Sequence, residues 1–350
     1  MTLEEARALF PVLERLAYLN AGTFGPLAQP TAAAVQEQLD ADLADGRFGK
    51  EYFERMLDLR KQARVALAGL VGAEPEQISL TGSTTDGCNI VLAGLDLEPE
   101  DEIVTTSEEH FGLIGPVHTS GAHVVVVEPE PDAILAAVTP RTRLLALSQV
   151  LWTSGRALPV RELREQTGVP VLVDGAQSVG SIAVVAAGLD FLTISGQKWL
   201  CGPDSTGALV VADPERLRVA RPSYFSQSAH EPSGSFEPTA GAARFDPGWL
   251  SSAVLAGLLA ALDVRPDWAY ERAAAMAARC RELLTPLTEV VPGDATLVAF
   301  RADNPPGLVA RLAEESVVVR EIPKTGLVRV SCGWWTNEDD LDRLAKAVAA

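Results

Sequence analysis

The chain has 350 residues, 47% of them hydrophobic and 22% charged, a composition typical of a packed globular protein. This length suits one large domain with a smaller one. Asp and Glu outnumber Lys and Arg by 47 to 29, giving a formal net charge of −18. Such a charge repels phosphate backbones and anionic lipid, which argues against nucleic acid and membrane surfaces as partners.

The first hundred residues alternate between helical patterns and glycine-rich breaks. Thr2 and Glu5 form a capping box, which predicts a short amphipathic helix that ends near Ala17. The predicted elements that follow are an extended piece and Gly/Pro loop at 18–26, helical periodicity over about 30–70, a short strand at 78–80, a polar loop at 81–87 and a helix through 90–92.

Short apolar, β-branched runs dominate the middle of the chain, and helical or loop stretches separate them. We predict strands at 102–105, 123–127, 144–147, 169–173, 191–194 and 209–211. Short buried strands that alternate with helices indicate a mostly parallel sheet covered on both faces.

The last third changes character. Residues 220–248 are rich in Ser, Pro and Gly with little periodicity, and a loop of this length is usually functional or an interface segment. The remaining predicted elements are a helical region at 249–285, strands at 296–300, 317–320 and 327–331, and a helix from about 337. We therefore expect an α/β fold with a large domain at 20–248 and a small α+β domain built from 1–19 with 249–350.

Two of the predicted strands end on polar groups that suit one chemistry. Asp174 follows the run Val171–Val173. Lys198 follows the strand at 191–194, after the three residues Ser195-Gly196-Gln197. Ligands of open α/β sheets bind at the carboxyl edge, so the acid and the lysine should face one crevice. A lysine amine forms a Schiff base with an aldehyde cofactor, and a carboxylate beside a pyridine nitrogen keeps that nitrogen protonated.

The polar loop at 82–87 offers an anchor for a phosphate group. Its backbone N–H groups and hydroxyls lie at the start of a predicted helix, where the helix dipole favours an anion. It is not a P-loop, because no Gly-Lys-Ser/Thr follows, and the dinucleotide motif G-x-G-x-x-G is absent.

Each of these features also has an ordinary structural explanation. A strand that ends in Asp-Gly is common, Lys198 could be a solvated loop residue, and Gly-Ser-Thr-Thr could be a simple helix cap. The combination is more specific than any part, because all three elements occur in this order and each lies at the end of a strand.

Together these motifs resemble the class V aminotransferase family, which includes cysteine desulfurases, selenocysteine lyases and isopenicillin N epimerases. The resemblance runs from Tyr18-Leu19-Asn20 to Val328-Arg329-Val330-Ser331 and is carried by Asp174-Gly-Ala-Gln177-Ser178 and by Ser195-Gly-Gln-Lys198-Trp199 with Gly202-Pro203. It implies a fold-type I enzyme with pyridoxal 5′-phosphate (PLP) as cofactor, an amino-acid substrate, and a homodimer with the active site at the subunit interface.

The resemblance also assigns roles to individual residues. Lys198 holds the cofactor and acts as base and acid at Cα, Asp174 pairs with the pyridine nitrogen, and His110 stacks on the ring. Gln177 contacts the ring oxygen. The residues expected at the phosphate are Thr84, Thr85, Ser195 and Gln197. Those expected at the substrate are Arg329, which grips its carboxylate, with Arg320 and Asn20.

Departures from the family pattern narrow the reaction. The stretch 304–326, where desulfurases carry a nucleophilic cysteine, contains none. Trp152 and Thr153 stand where many desulfurases have an asparagine, Gln197 replaces a histidine, and Trp249 replaces the threonine that reaches the neighbouring subunit. We therefore expect β-elimination by a C–S lyase that acts on a cysteine-type substrate without a cysteine nucleophile. An epimerase or aminotransferase is the alternative, and a non-catalytic PLP-binding homologue is disfavoured by the intact motif residues.

The remaining features concern location and metals. The four cysteines are widely spaced, which fits neither a disulfide framework nor a zinc site, so we expect reduced thiols and no metal. The N-terminus lacks the basic start and apolar run of a signal peptide, and no stretch approaches the roughly 20 apolar residues of a membrane span. These features predict a cytoplasmic protein.

Overall fold

A computed structural model describes all 350 residues, which form eleven α-helices and fourteen β-strands. The helices are α1 Leu3–Ala8, α2 Gln29–Asp45, α3 Gly49–Val71, α4 Thr84–Gly94, α5 Phe111–His118, α6 Pro131–Ala137, α7 Val160–Thr167, α8 Ser252–Asp263, α9 Ala269–Leu284, α10 Pro305–Glu314 and α11 Glu338–Ala349. The strands are β1 Ala17–Tyr18, β2 Ile78–Thr81, β3 Glu102–Thr106, β4 His123–Val127, β5 Thr142–Ser148, β6 Val171–Asp174, β7 Phe191–Ser195, β8 Gly207–Val211, β9 Gln227–His230, β10 Phe236–Pro238, β11 Leu297–Arg301, β12 Val317–Val318, β13 Arg320–Ile322 and β14 Leu327–Ser331.

Seven strands form the large sheet, in the order β2-β8-β7-β6-β5-β3-β4. Every neighbouring pair is parallel except those of β8, which runs antiparallel to both β2 and β7. Strands β2, β3, β6, β7 and β8 are buried along their whole length, as expected of strands covered on both faces. This sheet confirms the predicted α/β fold, and the carboxyl ends of β6 and β7 meet at one edge.

A second, three-stranded antiparallel sheet has the order β11-β14-β13. Its apolar face packs with α9, α11 and β12 into a separate hydrophobic cluster of 17 buried residues. Strand β1 pairs in parallel with β12, and Asn20 then bridges to Ser331 at the end of β14. The segment that follows β1 is therefore fastened to the small sheet before it reaches the large one.

Several predicted boundaries needed correction. The capping box of Thr2 and Glu5 is present, but α1 ends at Ala8 rather than near Ala17, because Pro11 cannot continue the helix and starts a 3-10 turn. The periodic stretch at 30–70 is two helices, separated where Gly46 takes a positive φ of 77°.

Two further segments differ from the sequence-based expectation. The stretch at 220–248 contains the antiparallel hairpin β9–β10, where the composition had indicated only a loop. The predicted strand at 317–320 divides into β12 and β13, which join different sheets. No helix in the structure is long and apolar enough to span a bilayer.

Candidate active site

Asp174 is the last residue of β6 and is only 3% exposed. Its Oδ1 accepts a hydrogen bond from the Ala176 backbone N–H at 2.9 Å, and the Thr193 hydroxyl lies 3.4 Å away on the neighbouring strand. These contacts fix the direction of the carboxylate and leave Oδ2 without a partner. A buried, oriented carboxylate with one free oxygen can hold a positively charged nitrogen.

Lys198 lies in the turn that directly follows β7, beside the end of β6. It is the one lysine of the chain that is not exposed; the other four are Lys50, Lys61, Lys324 and Lys346. Burial is the main cause that lowers the pKa of its amine to about 8; Asp174 opposes the shift, and Arg329 and Arg320 add to it. An amine with this pKa is partly unprotonated near neutral pH, which suits attack on an aldehyde and proton transfer at carbon.

The loop 20–25 covers the lysine turn. The Gly25 N–H donates to the Gln197 carbonyl at 2.8 Å, and a Cβ at position 25 would lie 2.1 Å from the Lys198 carbonyl oxygen. Only glycine permits so close an approach of the two backbones. The loop therefore links the small sheet to the lysine turn.

Gln177 is buried next to the same loop. Its Oε1 accepts from the Trp199 indole N–H at 3.0 Å, and its Nε2 donates to the Gly22 carbonyl at 2.9 Å. An amide nitrogen has two N–H donors, so one remains for the ring oxygen that the sequence resemblance assigns to it.

The residues predicted for the phosphate flank strand β8. Thr81 and Ser195 are both in register with Gly207, and a Cβ on Gly207 would lie 3.4 Å from the Ser83 backbone nitrogen. Ser83 caps α4 through its hydroxyl, while the backbone N–H groups of Thr84 and Thr85 have no hydrogen-bond partner.

Other side chains near the start of α4 already form hydrogen bonds within the protein. Ser195 donates its hydroxyl to Gln197 Oε1 at 2.9 Å. Asp86 accepts from the Gly82 N–H at 3.1 Å and so removes one donor from the anion site. The remaining groups are neutral, so an anion here would be held by N–H groups, hydroxyls and the helix dipole.

His110 is the N-cap of α5 and lies near the phosphate loop. A Cβ on Gly112 would lie 2.7 Å from the Thr85 hydroxyl and 3.2 Å from the His110 ring. The His110 Nδ1 accepts from the Gly112 N–H at 3.1 Å, so a neutral ring carries its proton on Nε2. Burial lowers the pKa of His110, and the charge of Lys198 lowers it further. The ring meets Trp152 edge-on, with centroids 5.1 Å apart.

Arg329 and Arg320 form an arginine pair across strands β14 and β13, where they are direct register partners. Arg329 is 1% exposed and donates to the Trp152 carbonyl at 2.9 Å, yet its Nε has no partner. No carboxylate of the protein faces the pair, and burial together with Arg320 lowers the pKa of Arg329 to about 9. A buried guanidinium without a counterion is a receptor for an external anion.

Thr23 and Asn20 complete this corner of the site. The Thr23 hydroxyl donates to Asn20 Oδ1 at 2.9 Å and lies 3.2 Å from Arg320 Nη1 and 3.4 Å from Arg329 Nη2. Asn20, predicted at the substrate, therefore contacts Thr23 rather than either arginine directly.

Sequence reasoning missed three contributors: Gly22, Thr23 and the Trp152 carbonyl. A Cβ on Gly22 would lie 2.8 Å from Arg329 Nη2, so a side chain at this position would have to displace the guanidinium group. The glycines of loop 20–25 were visible in the sequence, but their partner lies on β14, about 300 residues away. Nothing in the sequence alone indicates which strand such a loop touches.

All four cysteines are free and buried. Cys280 and Cys332 lie in the small-sheet cluster, Cys201 packs with Trp199, and burial raises the pKa of Cys88 and of Cys201. None is an exposed thiolate, so the structure offers no cysteine nucleophile.

Comparison with known proteins identifies what this arrangement is similar to. The model of the family described as "Aminotransferase class-V" matches residues 18–310. The isopenicillin N epimerase of Streptomyces clavuligerus is 29% identical over 398 residues, covering 99% of this chain and 98% of the epimerase.

Two solved structures of an enzyme called C-DES are similar over nearly the whole chain, each at 27% identity. One is a variant with glycine covalently linked to its PLP cofactor, with a TM-score of 0.91 and 98% of each chain covered. The other is described as the cystine C–S lyase C-DES with its reaction product cysteine persulfide, with a TM-score of 0.90, covering 97% of this chain and 99% of that one.

These matches confirm the family resemblance, the fold type, the assignment as an enzyme and PLP as its cofactor. The residues present fit the group. The amine of Lys198, Oδ2 of Asp174 and the N–H groups of Thr84 and Thr85 are unpaired donors and acceptors of the kinds that an aldehyde, a pyridine nitrogen and a phosphate require.

Proposed function

The chain belongs to the class-V aminotransferase family, and from this premise we propose that it cleaves the C–S bond of a cysteine-type amino acid by β-elimination. The observation that carries the proposal is the combination of a counterion-free Arg329 with the absence of any accessible thiol. The first suits an amino-acid carboxylate, and the second disfavours sulfur transfer through a protein persulfide.

The proposed roles follow from the contacts. PLP, when bound, supplies an electron sink that makes the substrate Cα–H acidic. Asp174, oriented by the Ala176 N–H, would keep a proton on the pyridine nitrogen. His110 and Gln177 would contact the ring. Lys198 removes the Cα proton, which its lowered pKa allows near neutral pH.

Thr84, Thr85, Ser195 and Gln197 are proposed to hold the phosphate, and Arg329 with Arg320 the substrate carboxylate. Loop 20–25 excludes water from the lysine side of the site, because Gly25 lies directly on the Lys198 carbonyl. In the net reaction the Cα–H and Cβ–S bonds break, the sulfur leaves with the bonding electron pair, and hydrolysis of the remainder gives pyruvate and ammonium.

The similarity to the cystine C–S lyase C-DES supports this outcome over nearly the whole chain. The similarity to isopenicillin N epimerase supports a second candidate, in which the proton returns to Cα from the opposite face. Aminotransfer is the third possible outcome at the same residues. Epimerisation and aminotransfer differ in where the proton returns, whereas β-elimination also expels the sulfur leaving group from Cβ.

One incubation separates the candidates. Purified holoenzyme is supplied with L-cystine, L-cysteine or a cysteine sulfoxide in deuterated water, and pyruvate, reduced sulfur and the chirality of recovered amino acid are measured. A lyase produces pyruvate together with an equal amount of the released sulfur group, which is persulfide from cystine, sulfide from cysteine and sulfenate from the sulfoxide. Recovery of D-amino acid with deuterium at Cα and no pyruvate would instead establish the epimerase.

Three features of the assembly belong to the same proposal. The boundaries 20–248 and 1–19 with 249–350 for the two domains are supported by the separate cluster around the small sheet. A homodimer is supported by the exposed aromatic rings of Tyr224 and Trp249. A cytoplasmic location is supported by the free cysteines.

A further inference from the structure

Thr23 is the one neutral side chain that contacts both members of the arginine pair. Its hydroxyl lies 3.2 Å from Arg320 Nη1 and 3.4 Å from Arg329 Nη2. The two guanidinium groups come from different strands; that of Arg329 is fully buried and that of Arg320 is partly buried. They converge on one oxygen atom.

The hydrogen-bonding capacity of this hydroxyl is completely used. A threonine hydroxyl has one proton to donate and two lone pairs to accept. Its proton goes to Asn20 Oδ1 at 2.9 Å, so both lone pairs face the arginines. The backbone of Asn20 in turn forms a bridge to Ser331 on the small sheet. The acceptor that orients the hydroxyl therefore belongs to a residue held by the small sheet and not to either arginine.

The arginine pair needs such a fixed acceptor. Like charges directly opposite each other on adjacent strands repel, and no protein carboxylate compensates these two. Without the shared oxygen, Arg320 can swing towards solvent, because only Thr23 holds its guanidinium group. Arg329 has a second anchor in the Trp152 carbonyl.

We propose that Thr23 is a positioning residue that joins Arg320 and Arg329 into a single receptor for one carboxylate of the substrate. The inference rests on the proposed amino-acid substrate but not on the fate of its Cβ–S bond. It assigns Arg320 to the same carboxylate as Arg329 rather than to a second acidic group.

The test is a titration of holoenzyme by absorbance with L-alanine, which has the carboxylate but no leaving group, and with L-alaninamide, which lacks the charge. Thr23→Val keeps the shape and removes the hydroxyl, and Thr23→Ser is the matched control that retains it. Hydrogen bonds to charged groups are worth enough that Thr23→Val should weaken alanine binding roughly 10- to 100-fold. Alaninamide binding should stay unchanged, and Thr23→Ser should remain within about threefold of the wild type, since it keeps the hydrogen bond.

A second comparison tests the route through Arg320. Arg320→Met should weaken alanine binding in the wild type but add little in the Thr23→Val background, because the two changes remove one interaction. Circular dichroism and an unfolding midpoint establish that each variant is folded. Equal losses for alanine and alaninamide, or additive losses in the double variant, would overturn the proposal. If the wild type itself fails to prefer alanine, the amino-acid substrate is wrong, and this inference falls with it.

Discussion

Two pairs of arginines in this chain differ in whether a carboxylate of the protein pairs with them. Arg60 and Arg64 on α3 both contact the Asp246 carboxylate, which also accepts from the Ser79 hydroxyl and the Leu80 N–H. The arginine pair on β13 and β14 meets only the hydroxyl of Thr23 and a main-chain carbonyl. Both sites bury a guanidinium group, but only the first supplies its own anion.

The difference separates a structural site from a binding site. Asp246 is fully buried and links α3 and β2 to the segment after the β9–β10 hairpin. Its charge therefore stabilises the fold and is not available to a ligand. At the arginine pair the uncompensated charge costs stability and is available to a ligand. Stability and ligand affinity should therefore respond in opposite ways at the two sites.

The largest expected effect is a loss of stability at the site where Arg60 and Arg64 share the Asp246 carboxylate. Asp246→Asn removes the anion and leaves two buried or half-buried arginines unpaired, which should lower the free energy of unfolding by about 3–5 kcal/mol. Urea titration of the variant and wild type measures it. Asp58→Asn, an exposed change on the same helix as both arginines, is the control and should be near neutral. A loss below about 1 kcal/mol at Asp246 would contradict the comparison.

Removing the buried charge of Arg329 should change the free energy of unfolding in the opposite direction. Arg329→Met should leave the free energy of unfolding unchanged or raised, because a desolvated cation without a counterion disappears. The same change should lower kcat/KM by roughly 100-fold or more, since a buried charged contact to the substrate is lost. Unfolding and steady-state kinetics on one preparation check both signs. A variant that is both destabilised and fully active would make Arg329 a structural residue.

The charges of Arg320 and Arg329 should also have a measurable effect on the pKa of Lys198. Arg329 and Arg320 contribute to the lowered pKa of Lys198, which is about 8 and has burial as its main cause. Removing a cation by Arg320→Met therefore raises that pKa, and uptake of PLP by the apoenzyme, which needs the unprotonated amine, should shift by roughly one unit to higher pH. Stopped-flow absorbance measures the profile. Arg301→Met, an exposed arginine on β11, should leave it in place. A shift to lower pH in the Arg320 variant would refute the assignment.

Glu109 is the converse case, a buried carboxyl that has only neutral donors. Its contacts come from Ser148 and Thr106, and burial raises its pKa to about 7. The folded state then binds the proton more tightly than the unfolded state, so this group's contribution to stability is complete below about 4.5 and is lost as pH rises through about 7.

Glu109→Gln should remove this pH dependence, an effect of up to about 3 kcal/mol across the window. Urea midpoints at several pH values measure it against Glu100→Gln, which is exposed. If wild type and Glu109→Gln keep parallel pH profiles, Glu109 ionises normally.

Features that depend on one short segment could be predicted from the sequence, whereas contacts between distant segments could not. Asp174 and Lys198 each come directly after a buried apolar strand, and parallel strands bring their carboxyl ends together, so the pair was predictable from local patterns. Arg329 and Arg320 were placed only by resemblance, because a strand arginine with no partner looks like a surface residue in the sequence. Thr23 and Gly22 act on strand β14, a contact that the folding of loop 20–25 creates.

We propose that Lys198 is the residue that holds the cofactor opposite Asp174. This role can be tested by borohydride reduction of the holoenzyme, followed by digestion and mass spectrometry of the peptides. We expect a pyridoxyl group on the peptide that contains Lys198, and none on Lys50, Lys61, Lys324 or Lys346, which are exposed. A label on one of those four, or no covalent label at all, would contradict it.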